Sequence, residues 1–120
     1  MSGEKVFQVP STATVTLEDL NGILTTAVEG GIGYWSEVKE YRWENTEIAS
    51  VKVRELDRED PEKPGWHLIN AMDMLRVLPL IESNSSQAKG WNIEEIVEQC
   101  DADIADIAVQ LAIFGKVIYG

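Results

Sequence analysis

Glu29-Gly30-Gly31-Ile32-Gly33-Tyr34-Trp35, running on to Tyr41-Arg42-Trp43, is the stretch on which the architecture of this chain turns. Its glycines follow the most regular helix pattern in the sequence. Leu17, Leu20, Ile23, Leu24, Ala27 and Val28 recur at spacings of three and four, one apolar stripe on a helix from about Leu17 to Glu29. Thr16 stands where an N-cap belongs, and Glu18 and Asp19 complement the dipole of the first turn. Gly30 is expected to close the helix with a left-handed cap. Gly22, inside it, weakens the helix by about 1 kcal/mol and permits close packing. Propensity does not decide whether Tyr34–Tyr41 is a short helix or extended.

Downstream, Ile48–Leu56 alternates Ile48, Val51 and Val53 with Lys52 and Arg54, a strand pattern. Asp57–Gly65 is charged and ends in Pro64-Gly65, so it reads as a turn, and Trp66–Ile69 returns as a second strand. Asn70 caps a helix carrying Ala71, Met74, Leu75 and Leu78, which Pro79 stops or kinks. Ser83–Gly90 reads as a flexible loop, and Ile93, Ile96 and Val97 fit a short helix. Asp101 or Asp103 then caps a long helix whose apolar face is Ile104, Ile107, Ala108, Leu111 and Phe114. Gly115 ends that helix, and Lys116–Tyr119 reads as a last strand. Upstream, residues 1–11 hold either a short strand around Val6–Val9 or a frayed end, and Thr12–Thr16 suits a second short strand. The expected fold is α+β: one domain over residues 1–120, with three main helices on a small antiparallel sheet made of the 48–69 hairpin and terminal strands.

A chain of 120 residues, 44% of them apolar, can bury one core without covalent staples. A single cysteine, Cys100, excludes an internal disulfide. No secretory pattern and no membrane-length apolar run stand out, so a cytoplasmic location is expected. The formal net charge of −11 disfavours direct nucleic-acid binding. It serves either solubility or docking on a basic partner.

Two segments carry a resemblance. The first is Leu24-Thr25-Thr26-Ala27-Val28-Glu29-Gly30-Gly31-Ile32-Gly33-Tyr34-Trp35. The second is Asp101-Ala102-Asp103-Ile104-Ala105-Asp106-Ile107-Ala108-Val109-Gln110 with Phe114-Gly115-Lys116-Val117-Ile118-Tyr119-Gly120. Together they resemble the two signatures of a family of small proteins encoded widely in tailed-phage genomes and prophages. In that family glutamate and threonine are expected where this chain has Asp103 and Ile104, so no hydroxyl role is carried over to position 104. The resemblance implies a viral accessory role, most economically counter-defence.

Chemistry is sparsely signalled. One histidine, His67, and one cysteine cannot make a zinc set without several carboxylates, and no metal or other cofactor is expected. Asp101, Asp103 and Asp106 lack the glycine and terminal glutamate of a calcium loop. Cys100 and His67 have no nucleophile signature around them, so an enzyme is not expected. The glycines follow a helix, whereas a phosphate loop follows a strand. Lys39, Arg42, Lys52, Arg54 and Arg58 are interleaved with Tyr34, Trp35, Tyr41 and Trp43. Aromatic faces stack bases and guanidinium forks grip phosphate, so Tyr34, Trp35, Arg42, Trp43 and Arg54 are the candidate site for a small nucleotide-like ligand. Packing of the tryptophans in the core is the competing reading. The second hypothesis is an acidic inhibitor that imitates nucleic acid and covers a basic host protein through Asp57, Glu59, Asp60 and Glu62 or through Asp101, Asp103 and Asp106. A structural role in the virion and a homo-oligomer both remain open.

Overall fold

The computed structural model describes residues 6–8, 14–56 and 65–120. The first helix, α1, spans Leu17–Thr26 and starts at the foreseen cap. Thr16 Oγ1 accepts from the Asp19 amide and Asp19 Oδ2 accepts from the Thr16 amide, both at 3.0 Å, a reciprocal capping box. Gly30 does not take the left-handed conformation expected of it. The chain widens into one π-turn, Ala27–Gly31, and leaves through Ile32. Gly31 has another purpose there: a Cβ on it would lie 2.7 Å from the Ala102 carbonyl oxygen. Only a bare backbone can approach so closely.

The undecided segment after the glycines is extended. It forms β3, Ser36–Glu44, paired with β4, Glu47–Glu55, which in turn pairs with β5, His67–Asn70. All pairings are antiparallel, in the order β3-β4-β5. The third strand of the sheet is therefore β3 and not a terminal segment. Near the start, β1, Val6–Gln8, and β2, Thr14–Thr16, pair only with each other. Lys116–Tyr119, expected as a strand, is irregular.

The β3–β4 register slips twice. Between Lys39 and Arg42 β3 carries an extra residue, with Glu40 at φ 55°, and between Ser50 and Ile48 β4 carries a compensating one. That is why Ile48, Val51 and Val53 are all buried although strict alternation would separate 48 from 51.

The core lies between this strand face and the helices. Leu20, Ile23 and Leu24 of α1 meet Val51, Val53 and Ile69 in one apolar cluster. Helix α2, Ala71–Ile81, adds Met74, Val77, Leu78 and Ile81 to it. Its cap is Asn70, as expected, and it runs through Pro79 for two more residues, although the proline has no N–H to give the Leu75 carbonyl. Ser83–Gly90, expected as a flexible loop, follows a compact path with Ala88 fully buried; Ser85 Oγ accepts from the Ala88 amide at 3.0 Å. Helix α3 is Ile93–Glu98 and α4 is Ala102–Phe114, capped by Asp101 and closed by Gly115 at φ 74°. No helix among the described residues is long and apolar enough to cross a membrane.

Candidate functional site

The aromatic stretch is divided between the two ends of β3. At the entry end Trp35 is 3% exposed, and its indole Nε1 donates to Asp106 Oδ1 at 2.8 Å. The Tyr34 hydroxyl donates to Asp106 Oδ2 at 2.6 Å, and Gln110 Nε2 donates to Oδ1 at 2.9 Å. Three donors thus converge on one carboxyl group. Desolvation first, then donation to Asp106, pushes the Tyr34 phenol up to about 12. The Tyr119 ring stacks on Trp35 at 5.0 Å and 7°, and Phe114 leans against it at 5.6 Å. The indole is thereby engaged at its edge and on its faces. Trp35 is core, and Asp106, expected on an acidic face, is buried beneath it.

Sequence reasoning missed Gln110 and Tyr119 as members of this cluster. The available signal was Asp106 and Gln110, polar residues one helical turn apart in an otherwise apolar run from Ile104 to Phe114. The two segments that carry the phage-family resemblance meet here: Gly31, Tyr34 and Trp35 from one, Ala102, Asp106, Gln110 and Tyr119 from the other.

At the far end of β3, Tyr41 and Trp43 are 46% and 55% exposed and stack on each other at 6.4 Å and 24°. Eight residues of strand separate Trp35 from Trp43, about 25 Å at the usual rise. Arg42 is exposed, makes no ion pair among the described residues, and alternates to the opposite side from Tyr41 and Trp43. Arg54 pairs with Glu37 and lies over the Trp66 ring at 4.6 Å, with Lys39 at 4.2 Å from the same ring. Lys52 pairs with Glu40 at 3.2 Å. The five residues assigned to a nucleotide site therefore do not converge on one pocket. Arg54 already has its carboxylate.

What the fold does assemble is an acidic cleft of about 360 Å³ between α1, the start of β4 and the end of α3. Glu18, Asp19, Glu29 and Glu47 line it together with Thr25, Thr26, Val97 and Cys100, and no lysine or arginine among the described residues does. Thr25 anchors the wall: its hydroxyl donates to the Asn21 carbonyl at 2.9 Å and accepts from the Ile48 amide at 2.8 Å. Trp43 is the cross-strand partner of Ile48, the residue after Glu47, and lines no part of the cleft. Burial, then the charge of Asp101, pushes the Cys100 thiol up to about 12. At neutral pH it is a protonated lining group, not a nucleophile.

The remaining acidic candidates separate as well. Asp101 is the α4 cap, and the Gln87 amide donating to it at 2.8 Å leads in holding it below the usual carboxylate range. Asp103 is exposed in the first turn of α4. Asp57, Glu59, Asp60 and Glu62, with Arg58, lie outside the described residues. Among the described residues no three histidine, cysteine or carboxylate side chains come together as a metal set. No family model matches the chain, and no curated protein or solved structure gives a significant match.

Proposed function

We propose that this chain is a non-enzymatic accessory protein of the tailed-phage kind that counters host defence by binding a basic protein partner. One observation carries the reading: four carboxylates line a single cleft, with no cation from the described residues among them, on a chain of net charge −11. Such a cleft repels phosphate and draws lysine or arginine side chains. On β3, the strand paired with that of Glu47, Trp43 and Tyr41 offer exposed faces on which a guanidinium stacks. The acidic surface envisaged from the sequence, at Asp57, Glu59, Asp60 and Glu62 or at Asp101, Asp103 and Asp106, is retained in this proposal as a property of the chain, and its centre is placed at Glu18, Glu29 and Glu47.

A second reading keeps the nucleotide-like ligand. It rests on the exposed Tyr41–Trp43 stack and on Arg42 next to it in sequence, which makes no ion pair among the described residues. Native mass spectrometry of protein purified from a defence-carrying host separates the two. A basic protein retained at low salt, released at high salt and lost in Glu18→Lys/Glu29→Lys/Glu47→Lys supports the first reading. An adduct of nucleotide mass that survives those reversals and disappears in Trp43→Ala replaces it with the second.

A further inference from the structure

After α4 the chain turns at Gly115 and crosses the indole of Trp35 as an irregular strap, residues 116–120. The strap is held by side chains. Gln110, fully buried, accepts from the Ile118 and Tyr119 amides with one oxygen, both at 2.8 Å, and donates to the Tyr119 carbonyl at 3.1 Å. One amide thus reads three backbone groups of an extended segment. Trp35 and Phe114 form the shelf under the Tyr119 ring, and Glu55 accepts the Tyr119 hydroxyl. A backbone-reading amide, an aromatic shelf and an acceptor for a phenol together make a peptide-binding groove occupied in cis.

We infer that this groove takes the same segment from a second copy, so that two chains exchange straps in a closed, symmetric dimer. Two features favour the second copy as occupant. The strap is the one sequence whose fit to the groove is on display, and its only turn is Gly115, a left-handed hinge around which a Cβ would meet nothing within 4 Å. In addition, Val117 and Ile118 on the strap and Tyr34 beside the groove are 37%, 45% and 56% exposed. Exchange places this apolar rim between two copies, where it is covered.

The hinge gives a test with opposite signs. A β-branched residue rarely adopts the left-handed turn but accepts an extended one, which carries the strap away from its own groove. In sedimentation velocity, Gly115→Val is expected to tighten dimerisation at least tenfold, and adding Tyr119→Ala is expected to return the monomer. A folded Gly115→Val chain that stays monomeric, or a dimer indifferent to Tyr119→Ala, overturns the inference. Wild-type protein provides the arm that does not depend on the variants. Heavy- and light-isotope chains mixed at high concentration should yield mixed dimers by native mass spectrometry, and their absence overturns it too.

Discussion

The two ends of β3 carry the same kind of residue pair and treat it in opposite ways. Tyr34-Trp35 at the entry and Tyr41-Arg42-Trp43 near the exit each supply one tyrosine and one tryptophan. The entry pair lies against α4, where Asp106 and Gln110 satisfy the indole and Tyr119 covers it. Trp43 at the exit meets no such counterpart among the described residues and is 55% exposed, against 3% for Trp35. An aromatic residue becomes structural when a distant element brings it a hydrogen-bond acceptor and a ring. Without them it stays available for a partner.

The largest effect expected from breaking this contrast is at the acceptor. Asp106→Ala leaves the Trp35 indole N–H buried without its acceptor and takes from Gln110 one of its two acceptors, at about 3 kcal/mol together. At this chain length that is a fall in Tm of roughly 10 °C by calorimetry. An unchanged Tm would mean that the cluster does not anchor the entry end.

Next comes the close approach that brings α4 there. Gly31→Ala sets a methyl 2.7 Å from the Ala102 carbonyl and should cost about 2 kcal/mol, since backbone cannot yield cheaply. Gly33→Ala, with nothing within 4 Å and no left-handed turn, is the matched control and should stay within about 0.5 kcal/mol. Equal losses for the two would remove the packing argument.

Tyr34→Phe deletes one hydrogen bond at a partly exposed position, about 1 kcal/mol in denaturant unfolding. It also sharpens the pH behaviour. The folded phenol holds its proton up to about 12 while the unfolded one releases it near 10.0. The stabilisation is therefore complete below pH 10 and fades as the pH climbs towards 12. Tyrosinate absorbance should lose its highest-pH step in Tyr34→Phe; a step that persists belongs to another tyrosine.

The smallest stability effect is expected at the exit. Trp43→Ala should move the unfolding free energy by no more than about 0.5 kcal/mol despite removing the largest side-chain type. A loss of several kcal/mol would show that Trp43 is structural after all, and would withdraw it from both functional readings.

Much of the scaffold is legible in the chain itself, for local reasons. Thr16 with Asp19, Asn70 with Asp73 and Asp101 announce helix starts because the capping bond forms within three residues. The β4–β5 hairpin follows from alternation, and its partner faces from burial. The candidate site is less legible. Arg54 is a ligand candidate in a stretch whose interleaved Glu37, Glu40, Glu44 and Glu47 compete for the same arginines, and only the β3–β4 register puts Glu37 opposite it to take its guanidinium. Glu18, Glu29 and Glu47 are far apart along the chain, and only the packing of α1 beside β4 makes them one cleft. The π-turn at Ala27–Gly31 leaves no signal that distinguishes its glycines from an ordinary cap.

The sequence by itself determined the α+β class, the helix starts, the hairpin and the acidic balance, because periodicity, capping and charge are properties of neighbouring residues. Only the tertiary structure decided that Trp35 is core and Trp43 surface, that Asp106 is a buried acceptor, and that three scattered glutamates share a cleft. Those outcomes depend on which partner arrives from dozens of residues away, and a residue's own chemistry does not encode its partner's position.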